Sequence, residues 1–297
     1  MILVTGGSGM VGSELRKILP NAMYPKSSEL NLLDQKSIET FFGKNKIDSV
    51  IHLAAYVGSL HDNIENAVRY YEQNVLMNTL LTNSAYANGV QRFIGILSTC
   101  IYPNNGLTYP MKEDDIHNGA PHESLYSYAY AKRSHAVQLN AYKSQYGVNY
   151  SYLIPTNMYG LSLHLDRMHF INDLVVKIIR ATKNGEKELR LFGDGSPLRQ
   201  FIAAKDFARF IKLYLESGCG ESLNVSDEYN RSINDMARLA VSLYNPDLQI
   251  VYDSSKPNGQ FRKDVDVSRL KKIFPEFTFN SLENGLLELF EFYEKIL

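Results

Sequence analysis

The chain has no tryptophan and only two cysteines, Cys100 and Cys219, in 297 residues. Two thiols are too few for a disulfide framework or a thiolate metal centre, so no metal site is expected and a reducing compartment is. A charge excess of either sign is missing too. Thirty-one basic and 32 acidic side chains leave a formal net charge of -1, which removes the global field that draws proteins to nucleic acid or to an anionic membrane. No apolar run approaches the roughly 20 residues that cross a bilayer. The opening MILVTGGSGM carries neither the basic leader nor the cleavage site of a secretory signal. The expectation is a cytoplasmic protein with no nucleic-acid and no membrane partner, in which any anionic ligand must be held by local features. Internal repeats, low-complexity tracts and long linkers are also lacking.

What is present is an alternation. MILVT leads through GGSGMVG into a helical SELRKIL; SVIHLAA precedes a long helical pattern beginning AVRYYEQ; RFIGILS precedes a helical segment from Tyr126 to Tyr146; YSYLIP follows it. Short apolar strands separated by helices predict an α/β protein, a doubly wound parallel sheet covered on both faces. After Gly160 the rhythm changes. Residues 1–160 are expected to form a Rossmann dinucleotide-binding domain, with later segments at about 190–215 returning to it, and residues 161–297 a smaller, interleaved and mainly substrate-binding lobe.

Gly6, Gly9 and Gly12 stand at G-x-x-G-x-x-G spacing between an expected strand and an expected helix. Glycines there allow a tight turn and close approach of backbone to a pyrophosphate, whose charge the helix N-terminus stabilises. The next strand ends in MYPKSSEL, with Lys26, Ser27 and Ser28 and no acid before Glu29. An acid would suit the ribose of NAD; a cation and hydroxyls suit the 2′-phosphate of NADP. NADP(H) is therefore preferred, with NAD(H) as the alternative.

Tyr128 and Lys132 lie four residues apart and share one face of the expected helix. An ammonium beside a phenol is expected to lower its pKa from about 10 towards neutrality, giving a usable proton donor and acceptor. Ser98 ends the strand RFIGILS, at the sheet edge where open α/β folds bind ligands. The glycine turn, the strand-end serine and the Tyr/Lys pair, in that order, resemble the extended short-chain dehydrogenase/reductase family.

Further fragments narrow the resemblance. ELNLLD, STCIYP, Pro110-Met111-x-Glu113, YAYAK, PTNMYG, RQF and KPNGQFRKDVDVSRL together are similar to the GDP-L-fucose synthase branch, whose members epimerise and reduce a GDP-4-keto-6-deoxy sugar. The resemblance implies that Ser98, Tyr128 and Lys132 serve reduction, while Cys100 and His169 move protons during epimerisation; His164 competes for the second role. It implies cofactor contacts at Gly6, Gly9, Met10, Val11, Lys26, Asp34, Ala54, Tyr128 and Lys132. Substrate contacts are implied at Asn157, Phe192, Arg199, Lys256 and Arg262, with Lys263 in the same basic cluster. It implies a GDP-sugar substrate, a homodimer and a place in surface polysaccharide synthesis. The alternatives are a C4 reductase of a GDP-linked hexose or heptose without epimerase activity, another nucleotide-sugar 4-epimerase or dehydratase, and a non-catalytic cofactor-sensing regulator.

Overall fold

The structure is a computed structural model and describes residues 1–58, 60–106, 108–163, 165, 168–256 and 260–297. Its elements in chain order are β1 (Ile2–Thr5), α1 (Met10–Ile18), α2 (Gln35–Lys44), β2 (Ser49–His52), α3 (Leu60–Glu65), α4 (Ala67–Ala87), β3 (Arg92–Ile96), α5 (Tyr126–Tyr146) and β4 (Asn149–Pro155). There follow β5 (Asn157–Tyr159), α6 (Phe170–Lys183), β6 (Glu188–Phe192), β7 (Leu198–Arg199), β8 (Phe201–Ala203), α7 (Ala204–Glu216) and β9 (Leu223–Val225). The chain closes with β10 (Arg231–Ser232), α8 (Ile233–Tyr244), β11 (Gln249–Asp253), α9 (Ser268–Ile273) and α10 (Leu282–Glu294).

Five strands form one sheet in the order β1-β2-β3-β4-β9, and every pairing in it is parallel. Consecutive residues such as Val50 and Ile51, Phe93 and Ile94, and Leu153 and Ile154 are buried, so both faces are covered, as a parallel sheet requires. Helices α4 and α5 pack on each other, and so do α1 and α7, giving the two helical layers. The doubly wound expectation is met.

The strand expected around Met23 is reduced to a single parallel bridge with Leu3 on the free edge of β1. Met23 exchanges hydrogen bonds with Ile2 and Val4 at 2.8 Å each, but Pro25 has no N–H with which to extend the ladder. The chain thus leaves β1 to one side and returns through β2 on the other, and the crevice at such a reversal is where open α/β sheets bind ligands.

Buried apolar side chains fall into two clusters. The first fills the sheet and its helices and takes in residues as late as Phe274. The second is built from α6, β6, β8, α8 and α10, around Ile178, Leu191, Met236 and Phe290. Among the described residues no helix is long and apolar enough to cross a membrane.

Candidate active site

The turn after β1 is shaped by what its glycines avoid. Gly6 has φ +71°, and a Cβ there would stand 2.7 Å from Ala54 N; one on Gly12 would stand 2.5 Å from Gly6 O. Side chains at either position would push the turn off the end of β2 or off its own helix. Gly9 caps α1, and Met10 and Val11, which begin that helix, border the crevice beside Gly6, where a helix N-terminus suits an anion. Thr5 and His52 tie the ends of β1 and β2 together: Thr5 Oγ1 lies 2.7 Å from His52 Nδ1, and His52 Nε2 3.0 Å from Asn78 Oδ1.

Beyond β3 the chain enters a 3-10 turn, Thr99–Ile101, in which Cys100 is buried. The Cys100 thiol donates to Ser98 Oγ at 2.8 Å. Helix α5 fixes what faces this turn. Arg133 Nε donates to Ile101 O at 2.5 Å, and Lys132 Nζ donates to Ile96 O at 2.9 Å. One helical face therefore holds the end of β3, the thiol turn and the phenol of Tyr128, one turn before Lys132.

Electrostatics here differ from the sequence expectation. Burial, with smaller contributions from Cys100 and Tyr70, raises the Tyr128 pKa rather than lowering it. The Lys132 amine stands 5.9 Å from the centre of the phenol ring and points at the Ile96 carbonyl. Its own pKa is lowered to about 8 by burial. Behind it, burial keeps His52 (about 3) and His135 (well below the usual value) neutral, and His135 packs edge-on to His52 at 5.5 Å. Held in this way, Tyr128 is a protonated phenol at neutral pH.

These groups line one cavity of ≈ 400 Å³. It brings together Gly6, Gly9, Met10 and Val11 with Ser98, Cys100, Tyr128 and Lys132, and adds Asn157 and His169 from beyond β4. His169 is the N-cap of α6. Its ring is exposed to the cleft, and the protein around it lowers its pKa. Lys263 also faces the cavity, within electrostatic reach of Cys100, and burial lowers its pKa. Sequence reasoning placed Lys263 in the basic cluster expected at the nucleotide diphosphate, not in the wall of the reaction cavity. The readable signal was the i, i+2 pair Arg262 and Asp264: in an extended segment it turns the residue between them to the opposite side.

Other expected residues stand apart from that lining. Lys26 is exposed beyond Met23, with its N–H donating to Glu29. Asp34 caps α2 by accepting from Lys36 N at 3.1 Å, and Ala54 N donates to Thr5 Oγ1. Phe192 is 69% exposed, with the Lys177 ammonium 5.7 Å over its ring. Arg199 donates to the carbonyls of Leu198, Phe261 and Gln260, and burial lowers its pKa to about 10. Arg262 pairs with Asp264, and Lys256 is exposed in the turn after β11. His164 and residues 257–259 of the KPNG fragment lie outside the described residues. A larger depression of ≈ 680 Å³, bounded by Lys177, Arg180 and residues 184–190, is wide open to solvent and holds none of the proton-transfer candidates. Among the described residues no group of three or more His, Cys, Asp or Glu is arranged to hold a metal ion.

The sequence profile of the NAD dependent epimerase/dehydratase family matches residues 2–226. The chain belongs to that family. Within it, the chain is 36% identical to GDP-L-fucose synthase of Dictyostelium discoideum, over 97% of this chain and 93% of that protein. It is 31% identical to GDP-L-colitose synthase of Yersinia pseudotuberculosis, over 98% and 97%. Among solved structures, a GDP-L-fucose synthetase from Naegleria fowleri bound to NADP matches with a TM-score of 0.88 at 29% identity, covering 99% of this chain and 92% of that one. The epimerase/dehydratase membership accounts for the glycine turn, the strand-end serine and the Tyr/Lys helix together.

Proposed function

We propose that this protein reduces a GDP-linked 4-keto-6-deoxy sugar with NADPH and inverts the carbons beside the ketone before doing so. The observation that carries the reading is the meeting of Ser98, Tyr128 and Lys132 with Cys100 and His169 around one cavity that the glycine turn borders. Relatives named GDP-L-fucose synthase and GDP-L-colitose synthase, matched over 97% and 98% of this chain, support the substrate class.

The residues fit a dinucleotide. Gly6 and Gly12 let the turn close against the end of β2 and against its own helix, and the N–H groups of Met10 and Val11 at the start of α1 would meet the charge of a pyrophosphate. When bound, NADPH supplies the hydride for C4. The chain's own residues do the rest. Tyr128, held protonated by burial, gives its proton to the ketone oxygen as that oxygen becomes an alkoxide, and Ser98 donates a hydrogen bond to it. Lys132, anchored on Ile96 O, stabilises the phenolate left behind. Before reduction, the C4 ketone acidifies the hydrogens on C3 and C5. His169, whose pKa the surrounding protein lowers, takes a proton as the neutral imidazole, and Cys100 exchanges one from a different wall of the cavity.

Asn157, Phe192, Arg199, Lys256 and Arg262 are the contacts assigned to the GDP-sugar. In this reading the two arginines exchange their carbonyl and carboxylate partners for phosphate oxygens, which their planar forks suit. The second core, in residues 161–297, serves as the substrate lobe, with Lys26, Asp34 and Ala54 along the adenosine half of the cofactor groove. Exposed Val68, Tyr71 and Leu76 on α4 and Val137 on α5 support a homodimer through those helices. A cytoplasmic enzyme of surface polysaccharide synthesis is the cellular role that fits.

The test is a panel of GDP- and dTDP-linked 4-keto sugars assayed with NADPH and with NADH. Fastest oxidation is expected for NADPH with GDP-4-keto-6-deoxy-mannose. No oxidation with any GDP-linked ketone overturns the reading.

The cofactor preference has its own check. Lys26→Glu sets a carboxylate where the 2′-phosphate is expected, so the ratio of NADPH to NADH dissociation constants should rise about tenfold or more. An unchanged ratio puts the phosphate elsewhere. Arg16, 4.4 Å over the Tyr24 ring, is then the next cation to replace.

A further inference from the structure

Gln200 follows Arg199, and its side chain is 3% exposed. Its amide behaves like one rung of a sheet. Oε1 accepts from Val265 N at 2.9 Å, while Nε2 donates to Val265 O at 3.3 Å and to Asp227 O at 3.2 Å. The backbone carbonyl of Gln200 accepts from Asn157 Nδ2 at 3.0 Å, and Asn157 lines the reaction cavity. A connected path therefore runs from the cavity wall to residues 262–266.

That segment is an extended strap. Arg262 and Asp264 pair through both prongs of the guanidinium, and Lys263 between them faces the cavity. Met111 holds the strap from another side, donating to Asp264 O at 3.0 Å and accepting from Asp266 N at 2.7 Å. Period two makes the register decisive: a slip by one residue would turn Arg262 or Asp264 towards the thiol in place of Lys263. A leucine would fill the volume of Gln200, but only an amide matches both the N–H and the C=O of a single residue.

We propose that Gln200 is a positioning residue: by gripping both backbone groups of Val265 it sets the register of the strap and keeps Lys263 turned into the cavity that Cys100 lines. What the cavity binds rests on the functional reading above. The grip itself is a property of the free protein.

Gln200→Leu removes the grip at similar volume, and Gln200→Glu keeps the acceptor but loses the donor. In the free protein, amide exchange read by mass spectrometry should be about tenfold faster across the strap in Gln200→Leu, as expected for loss of a buried hydrogen bond. In turnover of a GDP-linked ketone, Gln200→Leu should lower kcat/KM by about ten- to a hundredfold, and Lys263→Met should lower it as well. The double variant should be no worse than Lys263→Met alone, because Gln200 acts through Lys263. NADPH affinity should stay unchanged in all three. If Gln200→Leu does not fold, as judged by its melting curve, Gln200→Glu replaces it in the same cycle. Unchanged strap exchange, or losses that multiply in the double variant, overturns the proposal. A wild type inert towards every GDP-linked ketone sinks the functional reading instead, and the exchange measurement on the free protein then decides the grip alone.

Discussion

Tyr128→Phe is expected to lower the rate of NADPH-dependent reduction by ~10²–10⁴, the usual cost of losing one general acid, while leaving the fold and the cofactor affinity nearly intact. The asymmetry follows from how the phenol is held. Its ring packs edge-on to Tyr70, with centroids 6.3 Å apart, and phenylalanine keeps that contact. Lys132 is anchored on Ile96 O, so it does not depend on the phenol for its position. The glycine turn follows β1, which β2 separates from β3. What is lost is the hydroxyl proton that burial keeps in place. Steady-state kinetics with NADPH and a GDP-linked ketone give the rate, and fluorescence titration of NADPH gives the affinity. Turnover at the wild-type rate would remove Tyr128 from the mechanism.

Cys100→Ser should separate the two halves of the proposed reaction. A hydroxyl fits the same buried site and preserves the hydrogen bond to Ser98 Oγ, so the reducing groups stay where they are. Its pKa, however, lies far above the value of about 8.5 for an ordinary thiol, and proton exchange beside the ketone should nearly stop. Incubated in D₂O with its 4-keto substrate and no reduced cofactor, the wild type should take up deuterium at C3, C5 or both, and the variant should not. With NADPH added, the variant should still reduce the unepimerised ketone slowly, to a product of different stereochemistry. No exchange by the wild type with any candidate substrate would leave Cys100 as a packing residue in a simple C4 reductase.

The parts of the molecule that could be read in advance are those whose signals are local. Tyr126–Tyr146 is helical from end to end, and Gly147 at φ +70° stops it; Tyr128 and Lys132 share a face for the same reason. The glycine spacing and the serine ending β3 are equally short-range. The rest depends on partners far away in the chain. Arg199 looks like a free phosphate ligand until Gln260 and Phe261, some 60 residues on, supply the carbonyls it caps. The edge strand at Met23 fails at Pro25, a neighbour that outweighs the apolar pattern. The Tyr128 pKa moved opposite to expectation because burial raises it while the Lys132 ammonium is turned to Ile96 O, and helix spacing reveals neither. Lys263 was visible as a cation, but its direction was set by the parity of the strap.

Ser98, Cys100, Tyr128 and Lys132 all stand on β3, α5 and the turn between them, within the larger core, whereas His169 opens α6, a helix of the smaller one. Descent can act on the two unequally. If the proposed roles hold, substitutions accumulating in the smaller core would shift or remove one proton-transfer partner without disturbing the groups assigned to the hydride step. On the proposed mechanism, a lineage built on this plan would be free to pass from inverted to uninverted sugar products while its reducing chemistry is inherited whole.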